Sequence, residues 1–316
     1  MSPPKVAILL QLAAIPLHSS ANLDYTAHVI ETGKKLPKPE WIRVKLPTGN
    51  EWQHVDAILS NYGLHTVCDE ARCPNKGECW GYGTATFMIL GDTCTRGCRF
   101  CAVKTAKAGL PVRQDEPEAL AAAVKEMRLS YAVITSVDRD DLPDRGSGHF
   151  RRCIEAIKSM NPDVKVEVLI PDYYGEELRT VLAANPDVLA HNIETVPRLQ
   201  YVRDARASYE KSMRTLRESK SMGASLTKTS ILLGMGETRE ELLATFQDLR
   251  NIDVDILVMG QYLQPTPQEL PVFEYIKPEI FVELAKLAKT QGFRNVVSSP
   301  FARTSYHALE ASEHLQ

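Results

Sequence analysis

Three thiols fall within eight residues at Cys94-Thr-Arg-Gly-Cys98-Arg-Phe-Cys101, a C-x3-C-x2-C spacing. Cysteine binds iron and zinc as the thiolate. A structural zinc site takes four ligands, commonly in pairs, and no fourth Cys or His stands close to this trio in the chain. Three thiolates can instead hold three irons of a [4Fe–4S] cube, which normally takes four ligands. The fourth iron is then open. An open iron can chelate a small amino acid through its amine and carboxylate. Zinc, or a purely structural cysteine knot, is the other reading of the same spacing.

Cys68, Cys73 and Cys79 form a second incomplete set, spaced C-x4-C-x5-C and ending 15 residues before Cys94. Alone it is ambiguous: a zinc loop sharing His65, a cluster, or coincidence. Beside the first trio, a second cube leads, and it too wants a fourth ligand. The seventh cysteine, Cys153, falls at apolar spacing on a predicted helix and reads as core. His65 and His191 read as structural. Six of seven cysteines within 34 residues, and an odd total, fit metal ligation better than disulfides. Reduced thiols imply a reducing compartment.

The elements that must position these residues follow from the pattern. Near-continuous apolar runs at Thr84–Leu90, Tyr131–Val137, Val164–Ile170, Asp187–Ile193, Ser225–Leu233 and Ile256–Met259 predict strands buried on both faces, hence a parallel sheet. Between and beyond them, Glu116–Leu129, Phe150–Ser159, Glu176–Ala184, Tyr209–Met222, Glu240–Asn251 and Pro278–Gln291 predict helices, with Glu51–Tyr62 a helix upstream and Asn295–Ser298 a last short strand. About six strand–helix units fall short of the eight of a closed barrel. The expected fold is α/β: a partial, open (β/α)6 TIM-type barrel. Residues 84–260 form this core, and residues 1–83 and 261–316 are extensions covering it.

Polar residues follow the predicted strands: Thr135, Ser136 and Asp138; Pro171 and Asp172; Asn192 and Glu194; Gly234, Gly236 and Glu237; Gln261. Ligands bind at that end of parallel strands, so this rim is the expected site. Lys228, inside a predicted strand, needs a partner if buried.

The composition excludes other classes. The chain has 316 residues, 44% hydrophobic and 24% charged, so disorder, collagen and coiled coil are out. With 37 basic against 40 acidic residues, no strong field points to nucleic acid or an anionic membrane. The apolar run Val6–Leu17 is too short to span a bilayer, which needs about 20 residues. It is a weak secretory signal, and no Arg before Arg43 supports a transit peptide. It reads as an N-terminal extension or short core strand.

The first trio, with Phe100 at its aromatic position, resembles the signature of the radical S-adenosylmethionine (SAM) superfamily. Longer segments narrow the likeness. Cys68–Trp80 resembles the auxiliary-cluster segment of the lipoyl synthase family, and Thr84–Val103 resembles its radical-SAM segment. Asp138–Leu142, His191–Thr195 and Gly260–Pro265 are similar to later blocks, and Arg303-Thr-Ser-Tyr306 resembles that family's Arg-Ser-Ser-Tyr element. The resemblance covers roughly residues 50–310. It implies two [4Fe–4S] clusters. Cys94, Cys98 and Cys101 would hold the one that binds SAM and passes it an electron, giving methionine and a 5′-deoxyadenosyl radical. Cys68, Cys73, Cys79 and Ser305 would hold the auxiliary sulfur donor.

The same resemblance implies sulfur insertion at C6 and C8 of an octanoyl group on a lysine of a lipoyl carrier domain. It implies Thr135 and Ser136 at the SAM amino group. Asn192 and Glu194 suit the ribose hydroxyls. Lys228 suits the SAM carboxylate, or an internal ion pair with a rim acid. Arg303 anchors the tail or neutralises a cluster. Implied partners are the octanoylated carrier, a ferredoxin- or flavodoxin-type electron donor and an iron–sulfur delivery protein, with no nucleic acid or membrane and a monomeric chain. The expected compartment is the cytoplasm, or alternatively an organellar matrix or stroma. Other readings are a biotin-synthase-like or methylthiotransferase-like enzyme, or a non-catalytic cluster carrier. Thr304 stands where the family has serine, and Ser230 where it usually has glycine. Residues 299–302 also depart from the commonest tail.

Overall fold

A computed structural model describes residues 36–43, 51–81, 85–306 and 308. The run Val6–Leu17 and the rest of residues 1–33 lie outside them. Helix α1 (Glu51–Tyr62) buries Val55, Ile58 and Leu59, spaced three and four apart on one face. Strand β1 (His65–Thr66) leads into a one-turn helix, α2 (Val67–Glu70), whose N-cap Thr66 accepts from the Asp69 N–H. Helix α3 (Lys76–Gly81) follows. The sequence pattern does not predict α2 or α3, because four and six residues are too few for a helical period to register.

The core strands are β2 (Thr86–Ile89), then, after the paired two-residue strands β3 (Thr93–Cys94) and β4 (Lys104–Thr105), β5 (Tyr131–Ser136), β6 (Lys165–Leu169), β7 (Val188–Ala190), β8 (Thr227–Leu233), β9 (Ile256–Gln261) and β10 (Asn295–Ser298). The crossover helices are α4 (Glu116–Glu126), α5 (Ser147–Met160), α6 (Glu176–Leu182), α7 (Tyr209–Ser221), α8 (Arg239–Asn251) and α9 (Pro278–Thr290). A 3-10 turn at Pro197–Val202, which the pattern also does not predict, precedes α7.

The sheet runs β1-β2-β5-β6-β7-β8-β9-β10. All pairings are parallel except β1 with β2. Among the described residues no pairing closes β10 onto β1. The architecture is therefore the expected open α/β barrel, with β10 carrying the parallel order beyond the six core strands. Ile134, Val168, Leu189 and Leu257 are almost wholly buried, as expected for strands covered on both faces. Sequential register brings Ile89 beside Ser136, and Thr135 beside Leu169. The ends of β2, β5, β6 and β7 thus share one rim.

Candidate functional site

The loop with Cys94, Cys98 and Cys101 leaves β2 through a strained residue. Leu90 sits at φ +69°, a region a branched side chain avoids. Both its backbone groups are clamped. Its N–H donates to the buried Glu116 carboxylate (3.0 Å) and its carbonyl accepts from Arg139 (3.1 Å). The Gly146 position, at φ +89°, favours glycine, and a Cβ there would press on Leu90 Cδ1. Strain held this firmly marks a position the structure over-determines.

Backbone donors then meet sulfur. Cys94 Sγ accepts from the N–H groups of Arg96 (3.4 Å) and Asp138 (3.3 Å), and Cys98 Sγ from that of Asp204 (3.3 Å). Burial pushes the Cys94 and Cys98 thiols up to about 11 and Cys101 up to about 12. Cys98 and Cys94 each push Cys101 higher, and all three line the same cleft. Alone they stay protonated at neutral pH. A bound cation reverses that balance, and the N–H donors already favour thiolate.

Arg96, buried inside this loop, fixes it to the rim. Its Nε and Nη2 donate to Asp140 (2.9 Å each), Nη2 also lies 2.7 Å from Asp172, and Nη1 lies 3.4 Å from Asp138. Asp138 and Asp140 follow β5 and Asp172 follows β6. One guanidinium therefore ties the cysteine loop to two strand ends.

A cleft of about 260 Å³ opens between the cysteine loop and the rim. Cys94, Cys98, Cys101, Thr135, Ser136, Asp138, Asn192 and Glu194 all line it. Thr135 Oγ1 donates to the Leu169 carbonyl (3.0 Å). Ser136 Oγ is buried with no partner, a group that a polar ligand would satisfy. Burial raises the Glu194 carboxyl above its ordinary range, opposed by Arg203, Asn192 and Arg303. Its φ of +65° is a second strained residue on the rim. Burial raises Asp138 to about 6, against the pull of Arg96. Asp138, Asp172 and Glu194 face Arg96 and Arg203 on this wall, a slight acidic excess that suits a ligand with some positive charge.

The second trio backs onto the same cleft. Cys68 lies on α2 and Cys79 on α3, with Cys73 between them. Val67 and Ala71, on either side of Cys68, line the cleft. Burial raises Cys68 to about 11 and Cys79 to about 12, and Cys68 and Cys73 each raise Cys79. Cys73 is raised by burial and lowered by Arg303. Among the described residues no three of His, Cys, Asp and Glu are placed to grip a single ion.

The C-terminal segment crosses from this trio to the rim. Asn75 donates to the Phe301 carbonyl (2.7 Å), and Tyr306 Oη donates to Glu78 (3.2 Å). Ser305 lies between those anchors. Arg303 donates to the carbonyls of Ala302 (2.7 Å) and Gln261 (3.0 Å), and its charge acts on both Cys73 and Glu194. Thr304 Oγ1 donates to Asn192 (3.0 Å).

Comparison with known proteins fits this geometry. The Radical SAM superfamily profile matches residues 88–249. The profile of the N-terminal domain of lipoyl synthase matches residues 15–73. A chloroplastic lipoyl synthase of Arabidopsis thaliana is 53% identical over 87% of this chain and 72% of its own. The chain belongs to the lipoyl synthase family. The lipoyl synthase of Flavobacterium psychrophilum is 50% identical over 86% of this chain and 94% of its own. In fold alone, the crystal structure of methylornithine synthase aligns over 86% of this chain and 85% of its own, with TM-score 0.51 and 15% identity.

One expectation for a buried lysine is corrected. For Lys228 the two expectations are the SAM carboxylate and an internal ion pair with a rim acid. Its Nζ instead lies 3.0 Å from both Glu167 oxygens, with lysine and glutamate both buried inside the sheet. Neither residue lines the cleft. The ammonium is already neutralised, by an acid within β6 and not by one on the rim. Gly234 serves packing at the rim. The space a Cβ would need is taken by Gln261 and the Glu274 carbonyl, so this glycine allows the backbone around Glu274 to approach the sheet. Ser230, in a usual glycine position of lipoyl synthases, is buried in β8 and is not a wall of the cleft.

His191 is structural. Its Nδ1 donates to the Ile170 carbonyl (2.9 Å), and Nε2 accepts from Ser212 (2.8 Å). Cys153 is core within α5. Two residues of the site escape sequence reasoning. Arg96 had a signal, an arginine inside the cysteine loop and an acid-rich Asp138–Asp141 segment 42 residues on. Arg203, which lines the cleft and bonds Gln200 and Ser212, had none.

Proposed function

We propose that this chain inserts sulfur at C6 and C8 of an octanoyl group on a lysine of a lipoyl carrier domain. The observation that carries it is the single cleft walled by Cys94, Cys98 and Cys101 on one side and by the helix of Cys68 on the other. Cys94, Cys98 and Cys101 hold one [4Fe–4S] cluster. Cys68, Cys73, Cys79 and Ser305 hold an auxiliary one. When bound, the first cluster with SAM supplies hydrogen abstraction, and the second supplies sulfur.

The chain's own groups bind, orient and exclude water. Ser136 and Thr135 meet the SAM amino end, and Asn192 and Glu194 the ribose. Arg96 keeps the cysteine loop against the rim. Met88, Phe100, Val137, Leu169 and Ile170 make much of the cleft apolar, which suits an alkyl chain and keeps water from a reactive carbon. Residues 1–83 carry the auxiliary cysteines, 84–260 the barrel, and 261–316 the tail with Ser305. A ferredoxin- or flavodoxin-type protein supplies electrons, and an iron–sulfur delivery protein restores the auxiliary cluster. The chain works as a monomer in a reducing cytoplasm, or in an organellar matrix or stroma.

Ser305 is an oxygen donor on a segment held at Asn75 and Glu78. Oxygen is a harder ligand than sulfur and releases iron more readily. The decisive experiment incubates reconstituted protein with SAM, a reductant and an octanoyl-lysine peptide. Mass spectrometry should find two added sulfurs. SAM cleavage without sulfur insertion overturns the reading. Ser305→Cys should keep its iron and slow sulfur transfer; unchanged turnover removes the role given to the oxygen ligand.

A further inference from the structure

Glu116, which holds the Leu90 N–H, is itself held. It is the first residue of α4 and is 2% exposed. The oxygen that accepts from Leu90, Oε2, also lies 2.5 Å from Nε2 of His149 on α5. His149 is 3% exposed. Its other ring nitrogen, Nδ1, lies 3.0 Å from Nη2 of Arg152, one turn further along α5. Neither Glu116 nor His149 lines the cleft, so neither can touch a ligand there.

The partners fix the tautomer. A guanidinium can only donate, so Nδ1 accepts and the ring proton sits on Nε2. The ring then donates to Glu116. Exposed Arg152 thus reaches a buried carboxylate through the imidazole, and the carboxylate reaches the Leu90 N–H. Hydrogen bonds to an ionised group are about twice as strong as neutral ones, and the start of α4 adds its dipole to the same carboxylate. Leu90 is where this chain of contacts acts. At φ +69° its backbone relaxes to the β region unless its N–H and carbonyl are both held. Cys94 follows four residues later.

We propose that His149 is a positioning residue for the Cys94–Cys101 loop: by donating to Glu116 it keeps Leu90 left-handed and so sets the path on which Cys94 enters the cleft. The backbone part stands on these contacts alone. Its consequence, that the loop grips iron firmly, rests on the reading of Cys94, Cys98 and Cys101 as a cluster site.

The test compares His149→Asn with His149→Gln in the reconstituted full chain. A glutamine amide can carry an N–H to about where Nε2–H stands, and an asparagine amide is too short to do so. Residue-resolved hydrogen exchange should show the Leu90 amide about tenfold faster in His149→Asn, equivalent to about 1.4 kcal/mol, a larger rise than at Leu257 in β9. His149→Gln should restore the wild-type rate. A chelator should take iron from the Cys94 trio faster in His149→Asn, and from the Cys68 trio at the wild-type rate. Arg152→Met, a surface change that frees Nδ1, should speed Leu90 in the same direction by less. Wild-type protection of Leu90 in a folded His149→Asn chain overturns the inference. So does a His149→Gln chain as fast as His149→Asn, which would make the bulk of the ring the cause. Faster Leu90 exchange with an unaltered chelator rate overturns the link to the loop. Should His149→Asn fail to fold, Arg152→Met decides, and no change at Leu90 overturns the inference. A Cys94→Ala chain that takes up as much iron as wild type overturns the cluster reading and leaves the exchange result standing.

Discussion

Thr304 and Asn192 are 112 residues apart and joined by a 3.0 Å hydrogen bond. Asn192 lines the cleft beside Glu194. Thr304 precedes Ser305 on the segment anchored to Asn75 and Glu78. One hydroxyl therefore connects the rim with the tail beside the second trio. The methyl that distinguishes Thr304 from the family's serine leaves this bond intact.

Thr304→Val keeps the shape and removes the hydroxyl. The lost bond is worth about 1 kcal/mol, which should open the tail roughly fivefold more often. Hydrogen exchange by mass spectrometry should show faster exchange over residues 301–306 and little change in the barrel. Thr304→Ser should behave as wild type. Equal protection in Thr304→Val would mean that Asn75 and Tyr306 hold the tail without it.

Arg96→Lys keeps the charge and loses the fork that spans Asp140 and Asp172. Lysine cannot reproduce a two-armed contact. The cysteine loop should then hold its cluster less firmly, with iron passing to a chelator about tenfold faster, a cost of about 1.4 kcal/mol. The phase from the Cys94 trio should quicken and that from the Cys68 trio should not. Identical rates in both phases would deny Arg96 this role.

The long elements were legible because each spans several periods of its pattern. Glu51–Tyr62 is a helix with the predicted ends, and Tyr209–Ser221 stops one residue short of its prediction. The two cysteine trios stand out because their thiols are close in sequence. Ser305 was not readable from spacing; only likeness to a family pointed to it. The partner of Lys228 was hidden because Glu167 lies 61 residues away, on a strand brought near by sheet order.

Lys228 and Glu167 form an ion pair buried on both sides, with Tyr131 Oη donating to Glu167 (2.7 Å). Lys228→Met leaves the carboxylate without its partner and should destabilise the fold by about 3–5 kcal/mol. Adding Glu167→Gln removes the stranded charge and should recover most of that loss. SAM affinity of the double variant should stay within a few-fold of wild type. A large loss of affinity with stability restored would return Lys228 to the SAM carboxylate.

His191 sets a pH dependence whose sign follows from burial. Its folded-state pKa falls from the ordinary 6.5 to about 4, chiefly through burial and then through Arg203. A protonated ring would also present Nε2–H to a Ser212 hydroxyl that already accepts from Arg203 (2.9 Å). The unfolded chain takes up this proton first as pH falls. The contribution is therefore complete above pH 6.5, declines below it, and is gone by about pH 4. Its full size is roughly 3 kcal/mol. Asp138, raised to about 6 by burial, works in the opposite direction over part of that range, so the wild-type curve alone does not isolate His191. Urea unfolding of the reduced, metal-free chain and of His191→Gln should do so. The gap between the two should narrow steadily as pH falls from 6.5 toward 4, and a gap constant with pH would mean that His191 titrates alike in both states.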